Sequence, residues 1–100
     1  MEVDLASSNG PTRSQLFLAA VGERVMIFRE AAGLSTNSLA SRAGMTVAYI
    51  RRLETGRADP AITRLERIAL VLGTTAIDLL DIDGDELGMA ARSTQFWSHA

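Results

Sequence analysis

The side chains best equipped for chemistry in this sequence are arginines. Arg51 and Arg52 are adjacent, and Arg57 follows them closely. A guanidinium is a planar fork of donors, suited to paired contacts with a phosphate or a guanine edge. All 10 basic residues are Arg, a bias that a GC-rich genome would produce without any function. Catalytic chemistry, by contrast, lacks its parts. The chain has 0 Cys, which excludes a thiol nucleophile, a disulfide and Cys-ligated zinc. The single histidine, His99, has no visible partner for proton transfer or metal binding. No Ser-His-Asp set and no phosphate-cradling Gly loop is present. Asp81, Asp83 and Asp85 are spaced like the opening of a calcium loop, but the glycine that loop requires is replaced by Glu86. That segment reads as a solvated acidic linker. The expectation is a binding protein, not an enzyme, with no metal and no cofactor.

Composition limits what can position these arginines. A hydrophobic content of 47% over 100 residues suits one ordinary core. The net charge of −2 is unevenly placed. From Val21 to Leu72 Arg outnumbers Asp and Glu, and from Gly73 to Glu86 only acids occur. A mildly basic body thus precedes an acidic segment. The longest apolar run, Leu16 to Val21, is too short for a bilayer. Met1 to Gly10 holds acids and no base, unlike a signal peptide. A cytoplasmic protein with no membrane association is expected.

The helix signals are strong. Met1 to Arg13 is polar and contains Ser7-Ser8-Asn9-Gly10-Pro11, which predicts a mobile arm. Ser14 to Ala32 is helical in pattern, with Val21, Val25, Phe28 and Ala32 on one stripe and Gly33 as terminator. Ser35 is placed to cap a short helix from Thr36 to Ala43. Thr46 is placed to cap another from Val47 to Thr55. Asp59-Pro60 reads as the start of a fourth helix ending at Leu72, with Thr63 as an alternative start. Thr75 opens a fifth, to about Asp81. No segment alternates with a strand's period, so an all-α fold is expected.

The window from Thr36 to Thr55 carries the sharpest constraint. Two helices crossing steeply need a small residue where their backbones approach, and Ala40 supplies it. The turn between them needs a residue that tolerates positive φ, and Gly44 does so. Leu39, Ala43, Met45, Ile50 and Leu53 fall where such a pair buries its inner face.

With Leu34-Ser35, Leu39-Ala40, Gly44, Ile50, Leu53-Glu54-Thr55-Gly56, Pro60, Ile68-Ala69, Leu72-Gly73 and Leu79-Leu80, the chain resembles the XRE/Cro-type helix-turn-helix family. The resemblance covers roughly Val21 to Leu80. It implies a compact five-helix domain like that of lambda repressor. It also implies a third helix in the DNA major groove and dimers on two half-sites. By the same resemblance Arg29 and Glu54 form a structural ion pair, and Gly56 ends the recognition helix. Thr36, Asn37, Thr46, Arg51 and Arg57 take positions suited to phosphate contacts, and Val47, Ala48 and Arg52 positions suited to base contacts.

Two features depart from the family pattern. Thr36 stands where relatives commonly carry a phosphate-clamping Gln. Val47 and Ala48 replace polar base readers, and apolar groups can meet a thymine methyl but cannot form a bidentate pair with a base. Arg52 lies one turn beyond Ala48 and is the leading candidate for a guanine contact, with a solvated arginine as the alternative. Arg51, one turn beyond Val47, is either a phosphate contact or a solvated arginine. Thr46 can act as a cap, a phosphate contact or both. Tyr49 either bonds a phosphate or packs on the second helix.

The sequence therefore leads to a DNA-binding transcriptional regulator acting on double-stranded DNA. A protein-interaction module, an adaptor or antitoxin with its own protein partner, is the alternative. Expected boundaries are an arm over 1–13, the DNA-binding domain over 14–81, and an acidic linker with a tail over 82–100. Leu16, Ala19, Ala20, Met26 and Ile27 widen the apolar surface of the first helix beyond one stripe. Met89, Phe96 and Trp97 add large apolar groups near the C-terminus. Together they point to a homodimer through the first helix and the tail, or to a fold-back within one chain.

Overall fold

The computed structural model describes residues 10–82. Within them the chain forms α1 (Arg13–Ala31), α2 (Thr36–Ala43), α3 (Val47–Glu54), α4 (Ile62–Leu72) and α5 (Ala76–Leu79), and no strand. The all-α expectation holds. Most of the N-terminal arm, and every position after Ile82, including Met89, Phe96, Trp97 and His99, lie outside the described residues.

Local chemistry sets most helix starts. Thr12 and Gln15 form a reciprocal capping box: Gln15 N–H donates to Thr12 Oγ1 at 3.1 Å, and Thr12 N–H donates to Gln15 Oε1 at 2.8 Å. This starts α1 one residue before the expected Ser14. Ser35 and Thr46 cap α2 and α3 by accepting from Ser38 N–H and Tyr49 N–H, both at 3.0 Å. Thr75 does the same for α5 from Asp78 N–H at 3.1 Å.

Four boundaries or faces differ from the sequence reading. α4 starts neither at Pro60 nor at Thr63. Ala61 is its N-cap and offers no side-chain bond. The buried Ala58 holds the preceding segment against the core, and the chain stays non-helical past Pro60 to the extended Ala61. A cap contributes only about 1 kcal/mol, and the packing of Leu65, Ile68, Ala69 and Leu72 outweighs it. α3 ends at Glu54, with Thr55 as its cap. α5 stops at Leu79 instead of reaching Asp81. On α1 the buried residues are Ala20, Val21, Gly22 and Val25, while Phe28 is half-buried and Ala32 is an exposed C-cap.

The core joins all five helices. Val21 and Val25 of α1 meet Leu39, Ala40 and Ala43 of α2 and Ile50 and Leu53 of α3. Leu65, Ile68, Ala69 and Leu72 of α4 and Ala76 and Leu79 of α5 close it. Truncating a side chain such as Ile50 to Ala would cost about 2–5 kcal/mol. Arg24 reinforces the α1–α5 contact by donating from Nη2 to the Asp78 carbonyl at 2.7 Å.

Candidate nucleic-acid interface

The outer face of α3 is the surface that this packing leaves presented. Ile50 and Leu53 are buried, so helical periodicity turns Ala48, Arg51, Arg52 and Thr55 to solvent, and all four are exposed. The turn before α3 is built as its residue types require. Gly44 adopts φ +73° at the end of α2, and Met45 N–H donates to the Ala40 carbonyl at 2.8 Å. Ala40 is buried at the crossing, where a longer side chain would push α2 and α3 apart.

Two contacts fix how α3 sits on α1. The first is an ion pair. Arg29 Nε donates to Glu54 Oε2 at 2.7 Å, and Arg29 Nη2 donates to Glu54 Oε1 at 3.1 Å. Arg29 Nη1 also donates to the Leu34 carbonyl at 2.8 Å, tying in the α1–α2 connection. The side chains are only 12% and 7% exposed, so water screens the pair weakly. The hydrogen bond to Glu54 raises the Arg29 pKa, against a smaller lowering by burial. The second contact is steric. A Cβ on Gly22 would overlap the Leu53 carbonyl oxygen and press on the Glu54 backbone at 3.0 Å. Gly56, at φ +78°, also lies close to α1, and a Cβ there would stand 2.9 Å from Ala19 Cα. The C-terminal end of α3 thus sits directly on the α1 backbone.

The sequence-derived contact residues divide by environment. Ala48 and Arg52 share the outer face with Arg51. Val47 does not. It lies one turn before Ile50, is half-buried, and packs against the core. Thr46 is exposed while its hydroxyl caps α3. Thr36 is half-buried and Asn37 exposed in the first turn of α2, where helix geometry leaves backbone N–H groups without intrahelical acceptors. Arg57 is exposed, and its N–H donates to the Arg52 carbonyl at 2.8 Å, holding it just past the end of α3. Among the described residues, no carboxylate pairs with Arg51, Arg52 or Arg57.

Sequence reasoning missed three participants. Gly22 was legible in principle, because a glycine inside a helix costs about 1 kcal/mol and asks for a packing reason. Arg67 of α4 donates from Nη2 to the Ala43 carbonyl at 3.1 Å and bridges the turn from outside the motif. Arg64 of α4 lies over the Tyr49 ring, 4.8 Å from its centroid, and Arg52 lies 5.6 Å from the same centroid. Nothing in their local sequence marks Arg64 or Arg67, since both act across tertiary contacts. Tyr49 itself packs against the core, and its phenol oxygen is buried without a hydrogen-bond partner among the described residues.

A family model described as a helix-turn-helix domain matches residues 20–87. The chain belongs to the helix-turn-helix domain family. The XRE/Cro-type resemblance therefore stands. This helix-turn-helix chain is 36% identical over 59 residues to the HTH-type transcriptional regulator DdrOP3 of Deinococcus deserti, covering 59% of this chain and 46% of that protein. It is 32% identical over 62 residues to the HTH-type transcriptional regulator SinR of Bacillus subtilis, covering 61% and 56% respectively. The chain spans about half the length of the curated relatives it matches. Among solved structures it resembles a hypothetical transcription factor, NHTF, from Neisseria. The TM-score is 0.64 at 28% identity, over 79% of this chain and 90% of that one.

Proposed function

We propose that this helix-turn-helix protein is a sequence-specific DNA-binding transcriptional regulator that docks α3 in the major groove. The observation that carries this reading is the outer face of α3. It is solvent-facing, bears Arg51 and Arg52 without carboxylate partners, and is fastened from behind by Arg29–Glu54. Ala48 and Arg52 are the base-facing candidates, whereas Val47 is half-buried against the core. Thr36, Asn37, Thr46, Arg51 and Arg57 would hold the flanking phosphates. No step of this function needs a catalytic group, and among the described residues no set of His, Asp or Glu is placed to hold a metal. A cytoplasmic site of action fits, and no helix among the described residues is long and apolar enough to cross a membrane.

A single domain covers one half-site, so the proposal includes a homodimer. Ile27 of α1 supports it, being 52% exposed on the surface that the core does not use. The contribution expected from the tail falls outside the described residues. An adaptor or antitoxin with a protein partner remains the rival class, and no observation favours it. Titration with genomic DNA fragments at low and moderate salt tests the proposal. A regulator retains selected fragments with an affinity that falls as salt rises. Absence of any selected fragment, with a folded protein, would overturn it.

A further inference from the structure

The contact surface extends beyond the helix-turn-helix pair onto α4. Arg52 and Arg64 approach the same Tyr49 ring, with centroid distances of 5.6 Å and 4.8 Å. Tyr49 is held rigidly, since it packs against the core and its phenol oxygen is buried. Its hydroxyl is therefore withheld from any ligand, and its ring is what it offers. Arg52 lies between Ala48 and Tyr49 on the face of α3, one turn beyond both, so its side chain naturally crosses the ring. Arg64 reaches the ring from the first turn of α4.

We propose that Arg64 is a DNA-backbone contact, braced by Tyr49 beside Arg52, so that Arg64 grips the strand flanking the groove while Arg52 faces the bases. The proposal rests on the DNA-binding reading above. Both arginines are exposed, and among the described residues neither has an ion-pair or hydrogen-bond partner for its side chain. A ring face attracts a cation by about 0.5–1 kcal/mol at an exposed site. Two unit charges in water repel by only about 1 kcal/mol even at roughly 4 Å, no more than two such attractions offset. The ring can therefore hold both cations without an anion between them. It does not neutralise them, and it leaves their N–H edges unused. A preordered fork of this kind on Arg64 matches phosphate oxygens, which accept paired N–H donors. Arg64 stands on α4 beside the proposed groove-facing surface of α3, where a DNA backbone would pass.

Salt-dependent titration of the full chain on a fragment selected with the wild type decides the matter. Each phosphate contact contributes about 0.9 to the slope of log affinity against log salt. Arg64→Gln should flatten the slope by that amount and lose about eightfold in affinity at 0.1 M salt, equally on all sequences. Arg64→Lys should keep the slope. Tyr49→Leu should also keep the slope while weakening binding, because both charges remain but lose their brace. A purely structural role for Arg64 would lower the melting temperature of Arg64→Gln and leave the slope unchanged, and that result overturns the proposal. A wild type without any salt-dependent DNA affinity overturns the DNA-binding reading itself. A wild type that binds, with Arg64→Gln binding identically, overturns only the role of Arg64.

Discussion

At the scale of single residues, Tyr49 carries a buried hydroxyl with no hydrogen-bond partner among the described residues. A buried hydroxyl without a partner forfeits its hydration and gains nothing in return. Tyr49→Phe should therefore hold or raise stability, by up to about 1 kcal/mol in urea unfolding, and leave DNA binding intact. A loss beyond about 1 kcal/mol would reveal a partner for the phenol. Arg52 and Arg57 separate by role. Arg52→Ala should cost about 1–3 kcal/mol on the best site and relax preference at one base pair. Arg57→Ala should weaken all sequences alike and reduce the salt slope by about one unit. Equal losses on every sequence from both variants would contradict this division. The Arg29–Glu54 tie has a simple alkaline behaviour. The folded-state pKa of Arg29 is raised, so its contribution is complete below the usual arginine value and is lost only above it. Raising pH through the neutral range should not loosen α3 by deprotonating Arg29.

At the scale of elements, the caps were readable and the close approaches were not. Ser35, Thr46 and Thr75 cap the helices that their positions announced, because a hydroxyl bonding an N–H two or three residues on is a local event. The start of α4 was misread because Ala58 and the α4 core face, distant partners, override a local proline signal. Gly22 shows the same competition in energetic form. Alanine in a helix interior gains about 1 kcal/mol over glycine. A new methyl against a fixed backbone costs about 1–3 kcal/mol or more. The Cβ of Gly22→Ala would strike backbone atoms of Leu53 and Glu54, which cannot rotate away. The steric cost should win, giving a net loss of about 2 kcal/mol in denaturant unfolding and weaker DNA binding through a displaced α3. A Gly22→Ala protein as stable as wild type would show that α1 and α3 do not meet so closely.

At the scale of the whole molecule, the open question is how two α3 helices are spaced. Half-sites one turn apart require a separation of about 34–36 Å between the two recognition helices. One chain cannot span two such grooves with one α3. Ile27 stands out on α1, because its position is not needed by the core and remains 52% exposed. If this surface joins two copies, Ile27→Glu should yield a folded monomer, as seen by sedimentation equilibrium together with an unchanged helical signal. The wild type should self-associate in the micromolar range. A wild type that stays monomeric at high micromolar concentration removes the dimer, and a dimeric Ile27→Glu moves the interface elsewhere.

The sequence by itself determined the number and order of helices, the buried faces of α2 and α3, and the glycine at the turn. These follow from periodicity, capping and the steric freedom of one residue, all of which act over a turn or two of chain. The Arg29–Glu54 partnership was legible only by resemblance, because nothing local links positions on separate helices. Tertiary structure alone decided that Gly22 and Gly56 let α3 rest on α1. It alone brought Arg64 to the Tyr49 ring and Arg67 to the turn. The physical reason is common to them all. Each depends on the distance between atoms on different helices, which the packing of the core sets and which no single helix encodes.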